Sequence, residues 1–363
     1  MGKNIFIAAT RQNDGKTIVS LGLISALKNR FGKVGFIKPV GQRYVEIEGN
    51  KVDEDSFLME QVCGLDCRLK DMSPIAVESD FTVKYISGGN PENLIKQIKD
   101  SYELVSKGKD ITVIEGTGHA GVGSVFDLSN ATVAKLLGSK VILISIGGIG
   151  RPIDEIMLNK ALFESEGVEL IGVIINKIYS GKFDKVSHYA KKGLERKGIE
   201  LLGAIPYTRM LSSPTMSKIH EEIGGEIING QKSFDNRIED IIIGAMTPHQ
   251  ALNYFNPQTL LITPGDREDL ILGAMTAVSC KSKNRYRIGG LVLTGNIRPH
   301  KSIMDLVKET FMPVIGINKD TYTVASRIHD MIVKITPSDT EKIKIAMGLV
   351  KQFVDVDRLL EKI

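Results

Sequence analysis

The sequence has 363 residues, too many for one ordinary domain, and this length predicts two domains or three. Hydrophobic residues make up 42% and charged residues 25% of the chain, the balance of a soluble globular protein with a sizeable core. The formal net charge is +4 and the sequence pI is about 8.7. This mildly basic charge helps an anionic ligand to approach. It is too small to indicate a nucleic-acid-binding surface, so we expect no nucleic-acid partner.

Cysteine usage and hydropathy bear on the compartment. Cys63, Cys67 and Cys280 have no neighbouring set of His or Cys residues, which favours free thiols over a zinc site. No apolar run is long enough to span a bilayer, and the chain begins with a strand pattern rather than a leader. We therefore expect a cytoplasmic protein without a membrane partner.

The first part of the chain alternates apolar runs with amphipathic stretches. The runs predict strands at 5–8, 34–37, 111–114, 141–144, 170–175 and 201–205. The amphipathic stretches predict helices at 17–28, 91–105, 130–137, 153–165 and 186–197. Nearly continuous apolar strands that alternate with helices indicate a parallel sheet covered on both faces.

A polar stretch at 224–240 separates this pattern from a second α/β pattern. The second pattern predicts strands at 259–263, 290–294 and 313–317, and helices at 268–279 and 340–353. We place the boundary near residue 216. The expected domains are therefore 1–216 and a smaller α/β domain at 217–363.

Residues 9–17 have the sequence ATRQNDGKT, between a predicted strand and a predicted helix. A strand, a turn with Gly-Lys-Thr and a helix are the context of a phosphate-binding P-loop, in which backbone N–H groups face phosphates. Lys16 would then reach the β- and γ-phosphates, and Thr17 would ligate Mg²⁺. Thr10 stands where the general pattern has a glycine, so the alternative is a surface turn.

Four further residues follow predicted strands or lie in an acidic group. Lys38 follows the second strand and could neutralise a phosphoryl group or hold a carboxylate, or be a solvated lysine. Asp55 and Glu115, together with Thr17, would give an oxygen-only Mg²⁺ site, or be a helix-terminal and a strand-end carboxylate. Asn176 ends a strand where several nucleotide-binding families hydrogen-bond the purine, and a simple turn is the alternative.

These motifs follow one another along the chain in the order seen in dethiobiotin synthetase. They resemble still more the dethiobiotin-synthetase-like N-terminal domain of long bacterial phosphate acetyltransferases. The segments most like that subgroup are EGTGHAGVGS at 115–124, LGAIP at 202–206 and SPT at 213–215. The second half resembles the DRTGG domain that follows in those enzymes. The matching segments there are GDRE at 265–268, LTGNIRP at 293–299 and DTY at 320–322.

The resemblance implies a P-loop NTPase sheet flanked by helices, followed by a smaller α/β DRTGG domain, with ATP and Mg²⁺ as cofactors. The implied nucleotide-binding residues are Arg11, Asn13, Asp14, Gly15, Lys16, Thr17, Ile18 and Asn176. The implied catalytic residues are Lys16 and Lys38, and the implied metal ligands are Thr17, Asp55 and Glu115. Arg11 stands where related P-loop dimers carry a lysine that crosses to the partner's nucleotide, which suggests a homodimer.

The sequence departs from dethiobiotin synthetases at Ala9, Gln12 and Asn13, where those enzymes have glycine, threonine and glutamate. The chain ends at Ile363, before the place where an acetyltransferase domain would follow. We therefore expect that the chain is not a phosphate acetyltransferase by itself. Its enzymatic status stays open between a weak ATPase and an ATP-dependent ligase.

Three functions are consistent with these features. The first is an MgATP-binding regulatory or sensing protein. The second is an ATP-dependent ligase of the dethiobiotin synthetase or cobyrinate-diamide synthase type, in which Lys38 stabilises a carboxylate or carbamate. The third is a subunit that partners a separate short phosphate acetyltransferase. In the second domain, Asp266, Arg267, Asn296 and Arg298 could bind an anionic ligand, or Asp266 and Arg267 could cap a helix and pair with each other.

Overall fold

The computed structural model describes residues 2–275 and 288–363. The strands are β1 Lys3–Ala9, β2 Val34–Ile37, β3 Val40–Gly41, β4 Tyr44–Ile47, β5 Asn50–Asp53, β6 Ile75–Ala76, β7 Ile111–Glu115, β8 Lys140–Ile146, β9 Leu170–Ile178, β10 Leu201–Pro206, β11 Glu226–Asn229, β12 Asp240–Ile243, β13 Thr259–Pro264, β14 Gly290–Thr294 and β15 Val314–Gly316. The α-helices are α1 Lys16–Phe31, α2 Glu54–Cys63, α3 Leu69–Met72, α4 Phe81–Ile86, α5 Pro91–Ser106, α6 Asn130–Leu136, α7 Gly150–Ser165, α8 Phe183–Glu195, α9 Arg209–Ser212, α10 Met216–Ile223, α11 Pro248–Ala251, α12 Glu268–Met275, α13 Lys301–Lys308, α14 Thr321–Asp330, α15 Thr340–Phe353 and α16 Val356–Glu361.

The chain forms two compact units. The first unit comprises residues 1–208 and 335–363, and the second comprises residues 209–334. The six-stranded sheet of the first unit has the order β10-β9-β8-β1-β7-β2, and all its pairs are parallel. Its strands are apolar over nearly their whole length because helices cover both faces. The parallel sheet flanked by helices that the sequence predicts is confirmed.

The strand order brings the functional loops together. β1 lies between β7 and β8, so the loop after β1 has the loops after both neighbours beside it. In a parallel sheet all carboxyl ends lie at one edge, where ligands of α/β proteins bind. The P-loop, Glu115 and the loop after β8 therefore meet at that edge.

The second unit has a five-stranded sheet of order β11-β15-β14-β13-β12, in which β11 alone is antiparallel. Alternate residues of β13 face opposite sides. Leu260 and Ile262 join a core with α10 and α14, whereas Leu261 joins a core with α11, α12 and α13. This alternation gives an α/β unit with helices on both faces. Cys280 and the end of the predicted helix at 268–279 lie outside the described residues.

The structure differs from the expected partition at the end of the chain. The sequence pattern assigns 335–363 to the second domain, but these residues belong to the first unit. The reason is the apolar stripe Ile343, Ala346 and Val350 of α15, which is buried in the same core as the central sheet. No helix in the described part of the chain is long and apolar enough to cross a membrane.

Candidate functional site

The P-loop joins β1 to α1 and is closed by its own side chains. Thr10, in the place of the expected glycine, donates its hydroxyl proton to Asp14 Oδ2 at 2.7 Å. The backbone N–H of Arg11 donates to the same oxygen at 2.8 Å. Burial raises the pKa of Asp14 to about 6, although the hydrogen bond from Thr10 opposes this shift. The threonine therefore stabilises the turn with a hydrogen bond.

Gly15 is the residue before α1 and adopts a φ of 108°, a conformation that favours glycine. A Cβ at this position would lie 2.0 Å from Nδ2 of Asn176, so no side chain fits. The same Nδ2 donates to the carbonyl oxygen of Asp14 at 2.9 Å. Asn176 Oδ1 accepts the N–H of Lys177, and Lys177 Nζ donates to the carbonyl oxygen of Asn13 at 2.6 Å. The end of β9 thus braces the P-loop from outside.

Lys16 begins α1, and its side chain is nearly buried, with 8% of the residue exposed. Its ammonium group points at the carbonyl oxygen of Gly118, 3.4 Å away. Burial lowers the pKa of Lys16, and the nearby carboxyl of Glu115 opposes that shift. A buried ammonium at the N-terminus of a helix is suited to an anionic group such as a phosphate.

The loop after β7 is held by two buried asparagines. Asn130 Oδ1 accepts the N–H of Thr117 at 3.1 Å, and Asn130 Nδ2 donates to the carbonyl oxygens of Thr117 and His119 at 2.7 and 2.6 Å. Asn159 Oδ1 accepts the N–H of Ala120 at 2.8 Å. These bonds fix the backbone whose Gly118 carbonyl faces Lys16.

Thr17 and Glu115, two of the predicted metal ligands, are brought together. Thr17 Oγ1 lies 3.4 Å from Glu115 Oε1. Glu115 is fully buried, and its Oε2 has no hydrogen-bond partner among the described residues. Burial raises the pKa of Glu115 to about 7, and the Asp55 carboxylate adds to the rise. An orphaned buried carboxylate oxygen beside a threonine hydroxyl fits a hard cation such as Mg²⁺.

Within residues 2–275 and 288–363, no three His, Cys, Asp or Glu residues are arranged to hold a metal ion. This finding is compatible with Mg²⁺ at a phosphate site, because such sites use one or two carboxylates together with phosphate oxygens and water. Asp55, the third predicted ligand, is occupied differently. It forms a buried ion pair with Lys38.

Lys38 is surrounded by carboxylates. Besides its contact with Asp55, its Nζ lies 3.1 Å from Asp53 Oδ1 and 3.7 Å from Glu115 Oε1, and all four side chains are buried. Burial alone would lower the pKa of Lys38, but Asp55, Asp53 and Glu115 together raise it. Lys38 therefore neutralises the acidic side of the site, which is a different arrangement from a lysine that faces open substrate space.

Arg11 and Ile18, the remaining predicted nucleotide-binding residues, lie at the margins of the site. The Arg11 guanidinium pairs with Glu155 of α7, and the Arg11 side chain is 41% exposed. Glu155 also accepts from Arg151 at 2.8 Å. Ile18 is half-buried and packs against the core.

Several residues that build the site carry no recognisable motif. They are Asp53, Asn130, Ser145, Glu155 and Asn159. Asp53 belongs to the acidic group that the sequence shows, but its contact with Lys38 depends on the hairpin formed by β4 and β5. The other four lie on α6, β8 and α7, between residues 130 and 159, and no sequence motif marks them.

The second unit places the DRTGG-like residues in separate roles. Arg267 Nη1 and Nη2 donate to the carbonyl oxygens of Gly244 and Met246 at 2.7 and 2.8 Å, and Arg267 also pairs with Asp269. The arginine thus ties the loop after β12 to α12. The expected pairing between Asp266 and Arg267 is replaced by this pairing with Asp269.

Asn296 and Arg298 follow β14. Asn296 has a φ of 55°. The Arg298 guanidinium contacts Glu226 Oε2 at 2.5 Å, and both side chains are largely exposed. An exposed pair of this kind contributes little stability.

Residues 3–215 match the AAA_26 family, described as an AAA domain, and residues 218–331 match the DRTGG domain. Because the first match covers more than half of the chain, the protein belongs to the AAA_26 family. The resemblance to the P-loop and DRTGG region of phosphate acetyltransferases is confirmed.

Curated relatives point the same way. The phosphate acetyltransferase of Nitratidesulfovibrio vulgaris is 26% identical over 369 residues, covering 99% of this chain and 51% of the relative. That of Nitrosomonas europaea is 27% identical over 369 residues, covering 98% and 51%. The chain thus spans about half the length of these relatives. We expected an uncertain enzymatic status, with a weak ATPase or an ATP-dependent ligase as options, and no phosphate acetyltransferase by itself. These relatives contradict that expectation, because they match nearly the whole chain and are named phosphate acetyltransferase.

Two solved structures show limited similarity. The cell division protein MinD of Aquifex aeolicus is 16% identical and covers 58% of this chain and 84% of its own, with a TM-score of 0.36. The CBS and DRTGG regulatory region of Clostridium perfringens pyrophosphatase, complexed with the activator diadenosine tetraphosphate, is 19% identical. It covers 38% and 60%, with a TM-score of 0.27.

Proposed function

We propose that this chain is a nucleotide-binding regulatory region for phosphate acetyltransferase activity. We also propose that its first compact unit, residues 1–208 and 335–363, binds MgATP, and we call it the P-loop unit. The observation that carries the proposal is the buried Lys16 ammonium at the N-terminus of α1, inside a loop closed by Thr10, Asp14 and Asn176. A bound anion stabilises a buried ammonium group, and the N-terminus of α1 also attracts negative charge. The phosphates of a nucleoside triphosphate supply this negative charge.

In this proposal each side chain has a role. Lys16 binds the β- and γ-phosphate oxygens in place of the Gly118 carbonyl, 3.4 Å from it in this structure. Thr17 and Glu115 hold Mg²⁺, which neutralises charge on the phosphates when bound, and Asp55 orients the site through Lys38. Asn13, Asp14 and Gly15 shape the loop, and Ile18 lies in the first turn of α1 next to the phosphate-binding residues.

The regulatory part of the proposal rests on the pairing of this site with a DRTGG domain in relatives named phosphate acetyltransferase. We propose that nucleotide occupancy modulates acetyl transfer, on the same polypeptide or in a separately encoded short acetyltransferase. We further propose a homodimer in which Arg11, partly exposed beside Glu155, exchanges that partner for the nucleotide of a second copy. Light scattering with and without MgATP tests the dimer, and an unchanged monomer mass contradicts it.

Calorimetric titration of MgATP into wild type and Lys16→Ala tests the binding proposal. We expect a single site in wild type and binding weaker by at least about tenfold in the variant, because one charge-assisted phosphate contact contributes about 1.5–3 kcal/mol. The exposed Lys33→Ala, in the turn between α1 and β2, is the matched control and should bind as wild type does. Equal binding by wild type and Lys16→Ala would contradict the proposal.

A further inference from the structure

The last 29 residues of the chain are not explained by the family matches, which end at residue 331. In the structure, residues 335–363 form α15 and α16 and complete the P-loop unit. We call them the C-terminal segment.

α15 lies directly against α1, the helix that begins with Lys16. The two helices lie close together at Gly22, where a Cβ would stand 2.4 Å from Cβ of Val350. Gly22 and Val350 are both buried, and Val350 is fully so. Only glycine permits this separation at position 22. The packing of α15 on α1 therefore depends on the contact between Gly22 and Val350.

The far end of the segment is fastened to β10. The N–H of Asp355 donates to the carbonyl oxygen of Leu202 at 2.8 Å. Arg358 Nε and Lys362 Nζ contact the carboxylate of Glu200 at 2.8 and 2.7 Å. These two arginine and lysine contacts lower the pKa of Glu200 to about 2. The C-terminal segment is therefore attached both to the P-loop helix and to the edge of the sheet.

We infer that the C-terminal segment positions α1 through the packing of Val350, the positioning residue, against Gly22. The segment thereby determines the position of Lys16 in the phosphate site. The inference rests on the proposed nucleotide function. A helix moves as a rigid rod, so a shift at Gly22 reaches Lys16, less than two turns away.

The competing explanation is that the C-terminal segment only covers the hydrophobic core and does not position α1. We call this role a plain cover. α1 is apolar on several faces and would need burial whatever its function, since Val19, Leu23 and Leu27 are all fully buried. A cover contributes stability but leaves the affinity of the folded protein for nucleotide unchanged. Affinity, measured on folded protein, therefore separates the two explanations.

The experiment compares Gly22→Ala, the double variant Gly22→Ala with Val350→Gly, and Gly348→Ala. Gly348→Ala is the matched control, because a Cβ at this α15 position meets no atom within 4 Å. We expect Gly22→Ala to bind MgATP roughly tenfold more weakly, a typical coupling between linked sites. The double variant should recover most of the loss, and Gly348→Ala should bind as wild type does.

Amide hydrogen exchange of wild type and these variants is the second measurement. Coupling is reciprocal, so MgATP should slow amide exchange in residues 340–353 of wild type. Without nucleotide, Gly22→Ala should exchange faster than Gly348→Ala at residues 16–21. Wild-type affinity in Gly22→Ala, together with unchanged exchange at 16–21, would overturn the inference and leave a plain cover. If wild type and Lys16→Ala bind MgATP equally, the proposed function fails instead, and the nucleotide-free exchange still decides whether the segment positions α1.

Discussion

The side-chain amide of Asn176 donates a hydrogen bond across 2.9 Å to the carbonyl oxygen of Asp14, joining the end of β9 to the P-loop. The other side of the amide accepts the N–H of Lys177. Both polar atoms are therefore engaged by backbone, and Asn176 is only 3% exposed. This arrangement makes Asn176 a brace for the phosphate loop, whereas the sequence pattern left a purine-binding residue and a simple turn as alternatives.

Asn176→Ala should therefore weaken binding of every phosphate ligand to a similar degree. Losing the brace leaves the Asp14 carbonyl without its partner and loosens the turn, at a cost of about 1–3 kcal/mol. Competition titrations with ATP and with inorganic tripolyphosphate measure this directly. A loss for ATP alone would show that Asn176 contacts the base.

The pKa of Glu115 predicts a pH dependence of stability. Burial raises this pKa to about 7 in the folded protein, above the ordinary value of 4.5, and the Asp55 carboxylate adds to the rise. The folded protein then binds more protons than the unfolded chain between these values, so the free energy of unfolding falls as pH increases from 4.5 to 7. Glu115→Gln stays neutral at every pH and should be more stable than wild type above pH 7, by roughly 1–3 kcal/mol.

Urea unfolding from pH 5 to pH 8, without Mg²⁺, checks this prediction. The exposed Glu309→Gln serves as the control and should follow the wild-type profile. Parallel profiles for wild type and Glu115→Gln would contradict the assignment of the pH dependence to Glu115.

Lys38 should behave as a structural counter-ion. Lys38→Met leaves the buried carboxylate of Asp55 without this cation, and loss of one member of a buried pair costs about 3–5 kcal/mol. The double variant Lys38→Met with Asp55→Asn removes both charges of that pair and should recover part of the loss. Thermal unfolding of both variants, with the exposed Lys33→Met as control, measures the effect. A Lys38→Met protein as stable as wild type would show that Lys38 does not act as a structural counter-ion.

In the second unit, Arg267 and Arg298 should differ in their contributions to stability. Arg267 donates to two loop carbonyls and pairs with Asp269, so Arg267→Ala should cost about 2 kcal/mol. Arg298 makes an exposed ion pair, and Arg298→Ala should cost less than about 1 kcal/mol. Calorimetric unfolding tests the ranking, and equal losses for the two variants would refute it.

The parallel sheet and the P-loop could be predicted because their signals are local. Apolar runs such as 141–144 specify buried strands, and Gly15-Lys16-Thr17 at a strand–helix junction is a short motif. The helix at 340–353 was also predictable from its pattern, and the structure has it as Thr340–Phe353. Its partner was not predictable, since the stripe of Ile343, Ala346 and Val350 indicates a buried face without naming the surface that covers it.

The sequence predicts which polar residues form the site, but it does not predict which of them contact one another. Lys38 and Glu115 follow or end strands of the parallel sheet, whose topology brings them to one edge, and Asp55 joins them from α2, after the β4–β5 hairpin. That Lys38 would be held by these carboxylates depends on three-dimensional distances. Asn130 could not be recognised at all, because its bonds to the loop after Glu115 arise between residues of ordinary type 13 and 11 positions apart.

The proposed function depends on the binding of MgATP at Lys16 of the P-loop unit. Hydrogen exchange of the whole chain with and without MgATP tests this binding, because the result reports which segments the nucleotide protects. We predict slower exchange at residues 10–20 and 115–120, lost in Lys16→Ala. Protection confined to residues 218–331, or no protection in the P-loop at saturating nucleotide, would contradict the proposed binding at Lys16.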